Sequence, residues 1–124
     1  MTARLALTVG SLAMFLAVAL GAFGAHALKA RLSPDMSAVW QTAVQYHAWH
    51  ALGLLAVGLM MLHWPERWGF APAAWLMLAG IVLFSGSLYA LALTGVRGLG
   101  AITPIGGVAF LAGWGVLAWA VARG

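Results

Sequence analysis

Charged side chains are scarce in this 124-residue chain, which has six lysines and arginines and only two acidic residues. Charged residues make up 6% of the sequence and hydrophobic residues 65%, whereas soluble domains average about 25% and about 45–50%. Such a chain has too few polar side chains to cover its surface in water. The six cations are scattered along the sequence, so no basic patch indicates nucleic-acid binding.

The chain also lacks the residues on which much catalytic and transport chemistry depends. Cysteine is absent, which excludes disulfides, thiolate metal sites and cysteine nucleophiles. The long apolar segments contain no acidic residue, lysine or arginine, although such residues usually mark ion and proton pathways in membranes. We find no nucleophile motif, phosphate-binding loop or zincin helix. We therefore predict that the protein is not an enzyme, and the sequence indicates no cofactor.

What the chain does have is four long apolar segments. They cover residues 5–28, 40–62, 71–93 and 100–122, and every charged side chain lies between or outside them. A helix needs about 20 mostly apolar residues to cross the hydrocarbon core of a bilayer. We predict an all-α fold, a four-transmembrane-helix bundle that forms a single domain over residues 1–124 and is embedded in the lipid bilayer. The first segment is longer than the roughly 7–15 residues of a signal-peptide core, so we expect it to be retained.

The loops give a weak prediction of orientation. Four spans would place both termini on one side of the membrane, with three of the six cations on each side: Arg4, Arg67 and Arg123 against Lys29, Arg31 and Arg97. The positive-inside rule therefore does not decide the orientation by count. The free N-terminal amine favours cytoplasmic termini.

Small residues recur along the predicted helices at spacings of three or four. Small residues let helix backbones approach closely, which matters because lipid removes the hydrophobic drive for helix association. We predict that six glycines lie at helix contacts: Gly21, Gly24, Gly86, Gly106, Gly107 and Gly113. The hydroxyls of Ser85, Ser87 and Thr103 are expected to bridge helices or to bond nearby carbonyls. Pro104 either begins the last helix or breaks it.

Three histidines, His26, His47 and His50, are the main candidates for a binding site. His47 and His50 are three residues apart and share a helix face with Tyr46. An antiparallel helix pair would bring His26 close to them, with Tyr89 as a further neighbour. Neutral imidazole is a common metal ligand. The cluster is therefore open to three interpretations: a metal, haem or small-ligand site, a proton-transfer group, or a structural hydrogen-bond network.

Aromatic residues lie near several predicted helix ends. Trp64 and Trp68 occupy the tight loop after the second apolar segment. Tryptophan rings suit the headgroup region, where they anchor helix ends. We expect Trp40 and Trp119 to do the same at other helix ends.

Several short segments, in the same order and spacing, resemble the YgdD-like family of bacterial inner-membrane proteins, which is related to a small eukaryotic transmembrane protein. The matching segments are Gly21 to His26, Tyr46-His47 with His50, Leu83 to Tyr89, Thr103-Pro104, Gly106-Gly107, Phe110 and Gly113-Trp114. The resemblance implies four spans and a location in a bacterial plasma membrane, with the termini inside. It implies no substrate, cofactor or catalytic residue, because the family has no assigned activity.

Three hypotheses for function follow from these observations. The first is a non-enzymatic membrane component that acts through helix contacts, either as a homo-oligomer or within a larger membrane complex. The second is a metal, haem or small-ligand site formed by His26, His47 and His50. The third is a transporter or channel subunit for a small solute, which requires a continuous polar path.

Overall fold

The computed structural model describes all 124 residues and contains helices but no strands. The helices are α1 (Ala3–His26), α2 (Pro34–His63), α3 (Phe70–Gly80), the π-helical segment (Ile81–Ser85), α4 (Gly86–Thr94), a 3₁₀ turn (Arg97–Ala101) and α5 (Thr103–Ala122). The π-helical segment joins α3 and α4 end to end, so that they form one continuous rod over Phe70–Thr94. The all-helical prediction is confirmed, with one helical rod for each predicted apolar segment.

Three of the rods are long and apolar enough to cross a membrane, namely α1, the Phe70–Thr94 rod and the segment Arg97–Ala122. The fourth, α2, is the longest helix at 30 residues, and it is the least apolar of the four. Its segment from Gln41 to His50 carries a concentration of polar side chains inside the predicted span: Gln41, Gln45, His47 and His50. The second helix thus combines a polar half with an apolar half that begins near Ala51.

Side-chain caps and prolines set the helix starts. The hydroxyl of Thr2 accepts from the backbone N–H of Leu5 at 3.2 Å, and the hydroxyl of Ser33 accepts from the N–H of Met36 at 3.2 Å. Such caps satisfy backbone donors that lack a partner in the first helical turn. Pro104 lies in the first turn of α5, where its missing N–H costs nothing. It begins the helix and does not break it.

The four rods are arranged around α2. One side of α2 packs against α1, and another packs against α3, the π-helical segment and α4. α5 packs against α3 and the π-helical segment. α1 packs closely against α2 and makes no comparable contact with any other rod. The bundle is therefore open on the far side of α1.

The contact between α1 and α2 is made by small residues, in line with the prediction for the first helix. Ala6, Gly10, Ala13 and Ala17 are the buried residues of α1. A Cβ atom added at Gly21 would lie 3.3 Å from Val44 Cγ1, and one at Gly24 would enter the ring of Trp40. These two predicted packing glycines therefore do lie at a helix contact.

The glycines of α5 also lie against a neighbouring rod. A Cβ atom at Gly106 would lie 2.7 Å from Phe84 Cα, and one at Gly113 would lie 3.3 Å from Met77 Cγ. Gly107 makes an ordinary contact, 3.8 Å from the Phe84 ring. Gly86 is different, because a Cβ there would meet nothing closer than the carbonyl oxygen of Ile81, at 4.0 Å in its own rod. The prediction that Gly86 lies at a helix contact is wrong, since the π-helical segment turns it away from α2 and α5.

The tryptophans lie in two kinds of surroundings, at the ends of helices and inside a helix contact. Trp68 and Trp119 meet edge to face with ring centroids 5.0 Å apart, and Arg123 lies over the Trp119 ring. Trp40 instead is only 3% exposed, and its Nε1–H donates to the carbonyl oxygen of Leu20 at 2.9 Å. The expectation that Trp40 anchors a helix end at the surface is wrong, because its indole fills the contact between α1 and α2.

Candidate functional site

The polar side chains inside the helices gather with aromatic rings where α2 faces the Phe70–Thr94 rod and α5. We call this group the histidine–aromatic cluster: Tyr46, His47 and His50 of α2, Phe84 of the π-helical segment, Tyr89 of α4, and Phe110 and Trp114 of α5. His47 and His50 are both buried. Two of the predicted histidines therefore do lie together with Tyr46 and Tyr89.

His50 is fixed by hydrogen bonds at both ring nitrogens. Its Nε2 lies 3.0 Å from Nε1 of Trp114, and its Nδ1 lies 2.6 Å from the carbonyl oxygen of Tyr46. An indole N–H can only donate and a carbonyl can only accept. Nε2 must therefore be unprotonated, and Nδ1 must carry the proton. The ring is held as one neutral tautomer, with no free lone pair for a metal ion.

The face of the His50 ring also packs against an aromatic side chain. Its ring stacks on Phe110 at a centroid distance of 3.5 Å and an interplanar angle of 13°. The Tyr46 ring is nearly parallel to the His50 ring, at a centroid distance of 6.2 Å and an interplanar angle of 13°. The histidine thus links α2 to α5, although the two backbones do not pack closely against each other.

His47 links α2 to α4. Its Nδ1 lies 2.8 Å from the hydroxyl oxygen of Tyr89. This hydrogen bond joins the two rods through one side-chain pair.

Two hydroxyl bonds join the same rods. Ser85 donates to the carbonyl oxygen of Ala43 on α2 at 2.7 Å, and its side chain is fully buried. The hydroxyls of Ser87 and Thr103 lie 2.6 Å apart and connect α4 to α5. The predicted bridging role of these three hydroxyls is confirmed. No buried side-chain nitrogen or oxygen lacks a partner.

The predicted three-histidine site does not form. His26 is exposed at the end of α1, and the chain contains no group of three or more histidine, cysteine, aspartate or glutamate residues that could hold a metal ion. Register explains the separation, because the bond from Trp40 places Leu20 opposite Trp40. His26 and His47 lie in opposite directions from that level, separated by about 20 Å of helix at about 1.5 Å per residue.

A surface groove opens beside the histidine–aromatic cluster, between α2 and α5. Its volume of about 540 Å³ exceeds those of the two other cavities in the molecule, which are about 370 and about 340 Å³. Its lining is mostly aromatic or apolar and consists of Tyr46, Trp49, His50, Phe84, Pro104, Gly107, Val108, Phe110, Leu111 and Trp114. We call it the aromatic groove. The spacing of His47 and His50 pointed to this region, but no sequence pattern indicated that Trp49 and Trp114 belong to it.

Two smaller cavities lie near the ends of the rods. One, of about 370 Å³, lies between α1 and α2 beside Trp40 and Gln41. The other, of about 340 Å³, lies between Arg67 and Arg123. No two of the three cavities share a lining residue, so they do not form the continuous polar path that the transporter hypothesis requires.

A family profile described as a protein of unknown function, DUF423, matches residues 20–107. The chain belongs to this family. The matched range includes His47, His50, Ser85 and Tyr89, which hold the cluster together, and it ends before Phe110 and Trp114.

The named relatives are membrane proteins. The chain is 51% identical to the UPF0382 membrane protein YwdK of Bacillus subtilis over 106 residues, which cover 86% of each chain. It is 50% identical to the UPF0382 membrane protein SERP0230 of Staphylococcus epidermidis over 115 residues, or 88% of each chain. It is 42% identical to the UPF0382 inner membrane protein YgdD of Escherichia coli K12 over 117 residues, or 94% of this chain and 88% of the relative. No solved structure matches the chain.

These matches confirm the resemblance to the YgdD-like family and the membrane location. They also confirm that the chain is a member of an uncharacterised family, since the family description assigns no activity.

Proposed function

We propose that the protein is a non-enzymatic component of a bacterial plasma membrane that acts through helix contacts, with a second copy of itself or within a larger membrane complex. The observation that carries this proposal is the one-sided packing of α1. α1 packs closely against α2 alone, and Phe15, on its opposite face, is 71% exposed. A rod with one neighbour has room for a second.

The state of the polar groups supports a role without catalysis. A general acid, base or metal ligand needs a free position on its ring, within reach of a substrate. Both nitrogens of His50 are bonded within the protein, and the Nδ1 of His47 is bonded to Tyr89. The buried histidines therefore connect helices, which is a structural role.

We further propose that the chain crosses the membrane four times with both termini in the cytoplasm. Leu7, near the start of α1, contacts Gly58, near the end of α2, and Arg67 donates to the carbonyl oxygen of Val121 at 3.5 Å. The two termini and the loop after α2 therefore share one end of the molecule. A phosphatase reporter fused after Gly124 should be inactive and a cytoplasmic fluorescent reporter active; the reverse pattern would contradict this orientation.

Site-directed cross-linking tests the contact proposal. The chain has no cysteine, so a single cysteine introduced by substitution reports on one position only. We expect Phe15→Cys to give a cross-linked dimer or a larger adduct when native membranes are treated with a thiol cross-linker. Val82→Cys is the matched control, because Val82 is 61% exposed but lies on the π-helical segment.

The two variants distinguish the outcomes. Adducts at Phe15 and not at Val82 support a partner on the open side of α1. Equal labelling without adducts at either position would contradict the proposal, because it would mean that lipid alone covers α1.

A further inference from the structure

The aromatic groove contains two hydrogen-bond donors that nothing in the protein satisfies. The hydroxyl of Tyr46 makes no hydrogen bond, and the contact of this residue with His50 Nδ1 is made by its backbone carbonyl. The indole N–H of Trp49 has no partner, whereas those of Trp40 and Trp114 donate at 2.9 and 3.0 Å. Because no buried polar side-chain atom is unpaired, both free donors lie at the protein surface.

The position of these donors makes their lack of a partner costly. Trp49 lies at the middle of α2, about 20 Å from either end at about 1.5 Å per residue. Tryptophan is usually enriched at membrane interfaces, where water and headgroups accept its N–H. In the four-span topology proposed above, the level of Trp49 lies among the acyl chains of the bilayer, which offer no acceptor, so that an unpaired donor is strongly unfavourable there. A molecule that brings an acceptor to this depth would remove that cost.

The shape of the aromatic groove suits a small ligand with a flat ring. Its volume of about 540 Å³ lies within the roughly 300–1,000 Å³ of typical ligand pockets. The ring centroids of Tyr46 and Trp49 are 5.1 Å apart, and that of Phe84 is 4.6 Å from Tyr46. These rings pack on one another and form an aromatic lining, and a further ring could pack on that lining in an offset-stacked or tilted geometry.

The walls of the groove are held in place before any ligand binds. The bond from Trp114 to His50 and the stack of His50 on Phe110 fix one wall. Phe84 belongs to the π-helical segment, and such segments are frequent at functional sites. A preformed site loses less conformational entropy when it binds.

We propose that the aromatic groove binds a membrane-soluble molecule with a flat, carbonyl-bearing ring and an apolar tail. The carbonyl oxygens accept from Tyr46 and Trp49, the ring packs among the aromatic side chains, and the tail follows the apolar surface of α5 past Val108 and Leu111. A phospholipid fits less well, because its ester carbonyls lie near the headgroups and its chains carry no acceptor.

Binding is tested with a decyl-substituted benzoquinone as the probe and purified full-length protein in detergent. We expect saturable quenching of tryptophan fluorescence. Competition should be at least tenfold weaker with decylbenzene, which has the tail and an aromatic ring but no carbonyl. Phospholipid added at the same mole fraction should not displace the probe.

Four variants connect the binding to the groove. Tyr46→Phe and Trp49→Phe should each raise the apparent dissociation constant about five- to tenfold, because each removes one hydrogen bond of typical strength. Val108→Trp should abolish saturable binding, since it places a large ring in the groove at an exposed position. Trp75→Phe is the control, because Trp75 is 50% exposed, as Trp49 is, but lies outside the groove.

Three results would overturn the proposal. They are quenching that never saturates, equal competition by decylbenzene or phospholipid, and binding that is unchanged in Val108→Trp while that variant retains its helical circular dichroism. None of these results depends on whether cysteine at position 15 forms adducts.

Discussion

The two sides of α2 are held to their neighbours in different ways. Towards α1, the contact consists mainly of small residues, among them Gly10, Ala13 and Gly58, and the bond from Trp40 to the Leu20 carbonyl crosses it near one end. Towards the Phe70–Thr94 rod and α5, side-chain hydrogen bonds from Ser85 and Trp114 cross between rods. Lipid provides no hydrophobic drive for helix association, so close packing and hydrogen bonds are the forces that remain. On the α1 side of α2 close packing predominates, and on the other side hydrogen bonds between rods are more numerous.

The two sides of α2 also differ in the space that they leave for a ligand. Close packing of small residues leaves little space between the backbones of α1 and α2, except at the cavity of about 370 Å³ beside Trp40. The hydrogen-bonded side contains the large aromatic rings, the π-helical segment and the aromatic groove. In the two proposals made above, the open face of α1 takes part in assembly and the α5 side of α2 takes part in binding.

The largest expected effect is at the closest backbone contact. Gly106→Leu should lower the free energy of unfolding by about 3 kcal/mol, because its Cβ would lie 2.7 Å from Phe84 Cα and backbone cannot move as a side chain does. Gly115→Leu is the control, since nothing lies within 4 Å of a Cβ there. Unfolding in mixed micelles measures both. Equal stability of the two variants would show that α5 does not pack on the π-helical segment as described.

A smaller effect is expected on the α1 side. Gly58→Val should cost about 2 kcal/mol, because the nearest obstacle is Leu7 Cγ, at 2.8 Å from the added Cβ, and that side chain can shift. Ala56→Val, at an exposed position of the same helix, should cost much less. If Gly58→Val costs more than Gly106→Leu, the α1 contact is the more rigid of the two and the comparison is reversed.

The hydrogen-bonded side should show measurable coupling between side chains. A double-mutant cycle of His50→Leu with Trp114→Phe should give an interaction free energy of about 1 kcal/mol, within the range up to about 1.7 kcal/mol found for such bonds in membranes. Additive losses in the cycle would mean that the 3.0 Å bond between these rings does not stabilise the fold.

The features of the fold and of the candidate site that could be predicted from the sequence are those that depend on local chemistry. The rods follow from the length of the apolar segments, and the start of α2 follows from Ser33 and Pro34, because both depend on local chemistry. The bridging hydroxyls of Ser85 and Thr103 could also be predicted, since polar groups in lipid must find partners. These features require no knowledge of which helix faces which.

The predictions that were wrong concern features that depend on the rotation and register of one helix against its neighbour. The indole of Trp40 was expected at the surface, but the contact between α1 and α2 turns it inward. His26 lies two residues after Gly24, about 200° around a helix that turns about 100° per residue, so it points away from the face that Gly24 presents to Trp40. The sequence shows which residues occur together along the chain, and it does not show how each helix is rotated against its neighbour.

The π-helical segment has a consequence for everything that follows it along the rod. The N–H of Gly86 bonds to the carbonyl of Ile81, five residues back, which accommodates one residue more than an α-helical turn. Without that extra residue, the chain beyond it would be rotated by about 100°. Ser87 would then no longer face Thr103, and Tyr89 would no longer face His47. Removing one amino acid between positions 81 and 85 would thus change the polar contacts of all of α4. The hydrophobicity of the rod, and hence its fit to the membrane, would change very little.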